Sequence, residues 1–307
     1  MPTLLPSWRP GQVRDALTAF LDAASEVAPA DRVACFDNDG TLWCERPDYV
    51  QLYFFVDALR ARATDPDVAG IPEFAALLAG DKAAIGELGL TRVAAALLGL
   101  FDGVTPEEFA DRARDFLARA THPTLGRPLR TTTYAPMLEL VAALRDLDFT
   151  ISIVTGGGTE FVRAISLDLY GVPPEAVVGT MVAYAYSDDP DEPGGPRRPL
   201  LRRTTAINGE ANEGAAKVSN IQAQLGRRPI LAAGNSGGDR EMLEWVGTGG
   251  GPSLTLVVDH DDEEREFAYA GTAQTFLEPE PITLVAARQG WTVVSMARDW
   301  ETVFGPA

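Results

Sequence analysis

Two aspartates, Asp37 and Asp39, directly follow the apolar run 33–36. That run predicts a short buried strand ending at a turn, where Gly40 lets the backbone leave the strand sharply. Side chains two positions apart in an extended segment point the same way, so both carboxylates would face one side. Ligands of α/β proteins bind at the carboxyl ends of strands, so the pair predicts a site of chemistry. A solvated acidic turn is the alternative.

Three further polar features follow predicted strands or begin predicted helices. Thr155 and the glycines at 156–158 open a helix, where backbone N–H groups and a hydroxyl can hold an anion. Lys217, one of two lysines among 26 basic residues, falls in the first turns of another helix. Asn235 and Asp239 follow a further strand. Each alone can be a tight connection, a surface lysine or a helix cap, but their shared placement favours one site.

The elements that would position these residues alternate between strands and helices. Apolar runs at 151–154, 229–233 and 254–258 are typical of buried strands, and helical periodicity separates them. This alternation predicts an α/β fold with a mostly parallel sheet and helices on both faces. The segments 180–186 and 200–206 predict a hairpin across a surface loop at 188–199, which is rich in proline, glycine and aspartate.

The region 44–135 shows helical periodicity and hardly any strand signal. Connections between a strand and the next helix are normally about 2–6 residues long, so a helical insert directly after the acidic turn predicts a lid over the site. The predicted domains are therefore a catalytic core of 1–43 and 136–307 and a helical cap of 44–135.

Composition excludes several classes of function. The chain has 307 residues and a net charge of −18, which disfavours binding to nucleic-acid backbones or to anionic membranes. Two cysteines are no disulfide framework, and no apolar run approaches the length of a membrane span. The N-terminus lacks the features of a signal peptide, so the expected location is cytoplasmic. Nothing in the sequence indicates the oligomeric state.

The polar features resemble the four motifs of the haloacid dehalogenase superfamily, in its phosphatase branch. In chain order they are the turn Asp37–Thr41, Thr155 with its glycines, Lys217, and the loop Gly234–Asp239. The resemblance covers roughly 28–43 and 136–300, and 44–135 resembles the C1-type cap of phosphoserine-phosphatase-like members. It implies a Rossmann-like core with an all-helical cap inserted after the first strand.

The resemblance also implies a mechanism and its residues. Asp37 would be the nucleophile that forms an aspartyl-phosphate, and Asp39 would be the acid and base, which favours hydrolysis of a phosphate ester. The phosphate-binding residues would be Thr155, Gly156, Gly157 and Lys217. The cofactor would be Mg²⁺, held by oxygens of Asp37, Asp39, Asp239 and Asn235. Many relatives have an aspartate at the position of Asn235, so Mg²⁺ binding is expected to be somewhat weaker here.

Substrate recognition is expected from the cap and the rim of the site. Glu45 and Arg46 follow the acidic turn and are candidates to contact the leaving group. Weaker candidates are Arg127, Tyr134, Glu160 and Arg163, for which surface or interface roles are the alternative. His122 and His260 receive no catalytic role, and the acidic run 259–264 predicts a solvated helix start rather than a metal cluster.

The predicted function is a Mg²⁺-dependent phosphatase acting on a small phosphorylated metabolite. A phosphotransferase or phosphomutase would use the same aspartyl-phosphate with an acceptor other than water, and no residue separates the two. A non-catalytic binding protein on the same core is a third hypothesis. Its signature would be the loss of Asp37, Asp39 or Lys217, and all three are present.

Overall fold

The apolar runs form a central sheet, and the periodic segments between them form helices. The computed structural model describes residues 5–188, 197, 199–273 and 280–306, so most of the predicted loop 188–199 lies outside the described residues. The strands are β1 (Val33–Phe36), β2 (Thr150–Gly158), β3 (Val177–Thr180), β4 (Val182–Ser187), β5 (Leu200–Ile207), β6 (Leu231–Gly234), β7 (Leu254–Asp261), β8 (Ala268–Tyr269) and β9 (Thr292–Ser295).

The helices surround this sheet and also fill the region between β1 and β2. They are α1 (Gln12–Ala24), α2 (Val50–Ala61), α3 (Pro66–Ala69), α4 (Pro72–Ala79), α5 (Lys82–Leu88), α6 (Leu90–Gly99), α7 (Pro106–Arg119), α8 (Ala135–Asp146), α9 (Thr159–Tyr170), α10 (Ala215–Leu225), α11 (Arg240–Gly247), α12 (Ile282–Gln289) and α13 (Met296–Asp299). None of the helices in the described part of the chain is long and apolar enough to cross a membrane.

The main sheet has the strand order β3-β2-β1-β6-β7, with β9 parallel on β7 and β8 antiparallel to the end of β7. β1 pairs in parallel with both β2 and β6, so the carboxyl ends of these three strands meet at one edge. The residues of β1 alternate between the two faces. Ala34 and Phe36 join a cluster packed by α1, α8 and α9, while Val33 and Cys35 join one packed by α10, α11 and α12. The predicted α/β fold with helices on both faces is confirmed.

The helical segment between β1 and α8 leaves and rejoins the core at one place. The N–H of Cys44 donates to Thr132 O at 3.0 Å, and the N–H of Tyr134 donates to Leu42 O at 2.9 Å. Helices α2 to α7 lie between these paired ends, so the helical segment follows the acidic turn directly.

Phe54 of α2 is the centre of an aromatic cluster that joins this helical segment to the core. Its ring centroid lies 5.4 Å from that of Phe161 on α9. Three rings of the helical segment surround it, those of Phe101 at 5.3 Å, Phe109 at 5.4 Å and Phe116 at 5.7 Å. We call these five rings the Phe54 cluster.

The predicted hairpin is confirmed, because β4 and β5 pair antiparallel. Arg203 of β5 connects this hairpin to the helical segment, since its N–H donates to Val104 O and its carbonyl accepts from Gly103 N, both at 2.9 Å. Its buried guanidinium forms an ion pair with Glu160 and lies 4.0 Å from the ring centroid of Phe109. Burial lowers the pKa of Arg203 to about 10.

Two local predictions were wrong. β2 does not end at Val154 but continues to Gly158, because Gly158 resumes the pairing with Thr180 of β3 after an irregular stretch. The run 259–264 does not start a helix, because β7 continues to Asp261 and pairs with β8. His260, inside that run, is buried rather than solvated.

Candidate active site

The acidic turn, residues 37–43, is closed by its own backbone. Gly40 N donates to Trp43 O at 2.9 Å and has φ of +75°, in the left-handed region that favours glycine. A Cβ atom at Gly40 would lie 2.0 Å from Asn235 Nδ2. The glycine therefore permits both the sharp turn and the close approach of the loop that follows β6.

Lys217 lies between two buried aspartates at the carboxyl edge of the sheet. Its Nζ donates to Asp37 Oδ1 at 2.7 Å, to Asp239 Oδ1 at 2.6 Å and to Val154 O at 2.9 Å. Burial acts to lower the pKa of Lys217, but Asp239 and Asp37 raise it above its ordinary value. The ammonium group thus stays charged, and these bonds use its full donor capacity.

The candidate nucleophile, Asp37, is surrounded by more negative than positive charge. Burial and the neighbouring Asp239 raise the pKa of Asp37 well above its ordinary value of 3.8, against the opposing effect of Lys217. Asp39 contributes in the same upward direction. One lysine facing three carboxylates leaves negative charge uncompensated, so the site favours a bound cation.

Oxygen atoms that can bind a metal lie on the acidic turn and on the loop that follows β6, and they face one another across Thr41. Its Oγ1 lies 3.4 Å from both Asp37 Oδ2 and Asn235 Oδ1. Asp239 lies behind them, and its Oδ2 accepts the N–H groups of Asn235 and Ser236 at 3.0 Å each. Carboxylate and amide oxygens are the donors that Mg²⁺ prefers, so the donor set fits this ion.

The groups that could bind a metal are a mixture of carboxylate, amide and backbone oxygens rather than a cluster of acidic side chains. Among the described residues, no three His, Cys, Asp or Glu side chains are grouped to hold a metal ion. A Mg²⁺ ion would be held by Asp37, Asn235 and the backbone carbonyl of Asp39, with Asp239 beside them. There it would offset the charge of the carboxylates and of a phosphoryl group.

Asp39 lies beside this set, and its side chain is only partly buried. Trp43 Nε1 donates to Asp39 Oδ1 at 2.8 Å, which fixes the carboxyl group. Burial raises the pKa of Asp39 above 3.8, although the bond from Trp43 opposes the rise. A carboxyl group with a raised pKa can hold a proton and release it again, as a general acid and base must.

The irregular last part of β2, which we call the glycine turn, brings Thr155 and residues 156–158 to the same edge. Thr155 Oγ1 accepts the N–H of Gly157 at 2.9 Å, which shapes the turn. The N–H of Gly158 donates to Oε1 of Gln51, a residue of α2, at 2.8 Å. The structure therefore brings all four motif segments together and adds one side chain of the helical segment.

Glu45 is a buried carboxylate at the rim of the site. Its Oε1 accepts from Asn235 Nδ2 at 3.2 Å, and burial raises the pKa of Glu45. Arg46 lies with its guanidinium carbon 4.2 Å from the ring centroid of Tyr269, whose ring stacks on His260 at 4.3 Å. Glu45 thus lies next to the motif residue Asn235, whereas Arg46 lies against the ring pair of Tyr269 and His260.

His260 supports the acidic turn from below. Its Nε2 donates to the carbonyl of Gly40 at 2.8 Å, and its Nδ1 lies 3.3 Å from Glu266 Oε2. Glu266 also accepts from the hydroxyl of Tyr134 at 2.8 Å. Burial acts to raise the pKa of Glu266, but the hydrogen bond from His260 lowers it below its ordinary value. Tyr134 therefore contacts this supporting chain and not the edge of the sheet.

The other predicted substrate contacts are bonded to structural groups. Arg127 donates to Thr131 and to the carbonyl of Gly305, near the C-terminus. Arg163 donates to the carbonyls of Pro174 and Val177. Glu160, in the first turn of α9, pairs with Arg203 of the hairpin and accepts from the hydroxyl of Tyr184. His122, predicted to have no catalytic role, donates from Nε2 to the carbonyl of Arg46 at 2.7 Å.

Gln51, Trp43 and Tyr269 are site residues that the sequence did not single out, and His260 is a further one that was predicted to have no catalytic role. Trp43 follows Asp39 by four positions and offered a local signal, because an indole N–H requires a hydrogen-bond acceptor. The bonds of Gln51 and His260 reach 107 and 220 positions along the chain, so no local pattern indicates them.

Comparison with known proteins agrees with this geometry. A family model described as haloacid dehalogenase-like hydrolase matches residues 34–244, more than half of the chain, so the chain belongs to this family of hydrolases. That match includes all four motif segments. No curated protein matches the chain.

Several solved structures resemble this chain, and the two with TM-scores above 0.5 share its fold. A protein of unknown function from Bordetella pertussis Tohama I is 19% identical, with a TM-score of 0.54 over 86% of this chain and 97% of that one. A conserved functionally unknown protein from Anaerococcus prevotii DSM 20548 is 14% identical, with a TM-score of 0.55 over 88% and 94%. A HAD family hydrolase from Salmonella enterica serovar Typhi is 16% identical, with a TM-score of 0.44 over 89% and 69%. At these identities the likeness concerns the fold alone.

Proposed function

We propose that this hydrolase is a Mg²⁺-dependent phosphatase that cleaves a small-molecule phosphomonoester through an aspartyl-phosphate on Asp37. The observation that carries the proposal is the pairing of two aspartates with different environments after β1. Asp37 is buried against Lys217, while Asp39 is partly exposed and has a raised pKa. A nucleophile and a separate proton carrier are what a two-step hydrolysis requires.

In the first step a carboxylate oxygen of Asp37 attacks phosphorus, and the bond from phosphorus to the ester oxygen breaks. Asp39 gives its proton to the departing alkoxide, which leaves as an alcohol. In the second step Asp39 takes a proton from water as that water attacks the phosphorus of the aspartyl-phosphate. Inorganic phosphate leaves, Asp37 is regenerated, and Asp39 holds the proton again.

The remaining residues stabilise charge during both steps. Lys217 supplies a fixed positive charge beside Asp37, and the hydroxyl of Thr155, which accepts from Gly157, can donate its own hydrogen to a phosphoryl oxygen. Bound Mg²⁺ would neutralise the phosphoryl charge. The helical segment begins beside the site, at Gln51 and Glu45, and we infer that it acts as a cap that favours a compact substrate.

A screen of phosphate release tests the proposal. Sugar, amino-acid, nucleotide and polyol monophosphates are incubated with the protein, with Mg²⁺ or with EDTA and with no added acceptor. We expect release from one group of substrates in Mg²⁺ only, and a loss of roughly 10⁴-fold or more in Asp37→Asn. Turnover that persists in both EDTA and Asp37→Asn would refute the mechanism. If no inorganic phosphate is released and a phosphorylated acceptor forms once an acceptor alcohol is added, the protein is a phosphotransferase instead.

A further inference from the structure

The side chain of Gln51 connects the helical segment to the glycine turn of the site. Gln51 lies in the first turn of α2, and its Oε1 accepts the N–H of Gly158 at 2.8 Å. A glutamine amide has one accepting oxygen and a nitrogen with two donors. The bond to Gly158 fixes the oxygen, so the orientation of the whole amide group is set.

The amide group of Gln51 lies directly against the residues assigned to the phosphoryl group. A Cβ atom built on Gly157 would be 2.9 Å from Gln51 Oε1, 3.2 Å from Thr155 Oγ1 and 3.8 Å from Asp39 Oδ2. A Cβ atom on Gly158 would be 2.7 Å from Gln51 Nε2. The two glycines therefore make room for this amide beside both the anion-binding hydroxyl and the acid–base candidate.

The nitrogen of Gln51 is the free end of this group. Within residues 5–188, 197, 199–273 and 280–306, Nε2 has no hydrogen-bond partner, whereas Oε1 is bound, and the side chain is only half-buried. A further donor is useful at this place, because all three donors of Lys217 are already bonded to protein oxygens.

We propose that Gln51 is a substrate-contacting residue whose Nε2 donates to a phosphoryl oxygen held at the Thr155 turn. This inference rests on the proposed function. Through Gln51 the helical segment would contact the phosphoryl group itself, in addition to any contact with the leaving group. One amide then joins the N–H of Gly158, the helical segment and the substrate.

A purely structural Gln51 is the competing interpretation, in which the amide only ties α2 to Gly158. Two variants separate the interpretations. Gln51→Glu keeps an acceptor for the N–H of Gly158 but replaces the donors by a carboxylate that repels phosphate. Gln51→Met has similar length but neither accepts nor donates. Gln12, an exposed first-turn residue of α1, provides matched control variants Gln12→Glu and Gln12→Met.

The measurements are the affinity for inorganic phosphate by titration calorimetry with Mg²⁺, and kcat/KM for the best substrate of the phosphate-release screen. We expect Gln51→Glu to weaken phosphate binding and to lower kcat/KM by about 100-fold, and Gln51→Met by about 10-fold, because bonds to charged groups are the strong ones. Both Gln12 variants should match the wild type.

The outcomes separate this inference from the proposed function. If Gln51→Glu binds phosphate as the wild type does while Gln51→Met is impaired, the residue is a structural tie and the inference is wrong. Equal affinity in all variants also overturns it. Absence of Asp37-dependent phosphate release by the wild type overturns the proposed function instead, and the phosphate titration still reports on Gln51.

Discussion

The carboxyl edge of the sheet and the Phe54 cluster are both buried, but by opposite kinds of side chain. At the edge, Lys217 lies between Asp37 and Asp239, and burial raises the pKa of Asp37. In the cluster, four aromatic rings lie with centroids 5.3 to 5.7 Å from that of Phe54. Burying rings stabilises a fold, whereas burying charges costs free energy, which at the edge of the sheet is explained by the chemistry of the site.

Because of this difference, we expect variants of the two regions to lose different properties, either activity or stability. Variants at the edge should lose activity first and change stability in a pH-dependent way. Variants of the cluster should lose stability first and keep the chemistry of the molecules that remain folded. Arg203 is the exception in the second region, because it brings a buried charge to the cluster through its pair with Glu160.

The largest expected effect on stability is that of Lys217→Met. Removal of the ammonium group leaves Asp37 and Asp239 facing each other, so we expect a loss of about 3–5 kcal/mol in the free energy of unfolding at neutral pH. Turnover should fall by about 10³-fold or more, as the positive charge beside the phosphoryl group is lost. Urea unfolding in EDTA and phosphate release measure the two effects.

The pH dependence of that stability loss has a definite sign. The folded pKa of Asp37 is raised above 3.8, so its protonation favours the folded state, and this contribution falls as pH rises through the raised value. Without Lys217 the pKa rises further. The deficit of Lys217→Met should therefore shrink as pH is lowered, and a deficit that is constant with pH would contradict this account.

Phe54→Ala tests the aromatic region. The ring is fully buried among its neighbours, and its removal leaves a cavity, so we expect a loss of about 4 kcal/mol in the free energy of unfolding. Below the unfolding transition, kcat should change by less than about tenfold, because no group of the site is removed. A variant with wild-type stability and no turnover would break the distinction between the two regions.

Arg203→Met sharpens the comparison, because it removes a charge from the aromatic region. Glu160 would lose its buried partner, and we expect a loss of about 3 kcal/mol at neutral pH. The double variant Arg203→Met with Glu160→Gln should recover most of this loss, since no unpaired charge remains. Thermal unfolding of the single and double variants measures the coupling. An additive double variant would show that the pair contributes nothing.

His260→Gln should have the smallest effect. The imidazole donates to the carbonyl of Gly40, and a shorter-reaching amide would loosen the acidic turn without changing its charge pattern. We expect about 1 kcal/mol less stability and about tenfold lower kcat, with KM less affected. An unchanged kcat would show that the bond from His260 does not position the turn.

The residues that could be predicted from the sequence are those whose signals come from neighbouring positions or from the composition of the chain. Asp37 and Gly40 are recognisable because a strand, a turn and paired carboxylates lie within a few positions. Lys217 is recognisable because its residue type is rare in this chain. The parallel order of the sheet also follows from local alternation, since a helix between two strands brings them into the same direction.

The remainder depends on contacts that are distant in sequence. Glu160 has the position of a substrate contact, directly after the glycine turn, but the hairpin supplies Arg203 as its partner. The extension of β7 to Asp261 could not be predicted, because its partner β8, Ala268–Tyr269, is too short to give a signal in the sequence. Gln51 is an ordinary polar position of a helix until the fold brings it to Gly158.

The paired ends of the helical segment have a consequence for exchange between proteins. Because Cys44 is bonded to Thr132, and Leu42 to Tyr134, the chain returns to the point from which it departed. A recombination event between these positions could replace the whole excursion by one of another length while leaving β1 and α8 in register. The same core chemistry could then be offered to different metabolites by substituting a single continuous block of sequence.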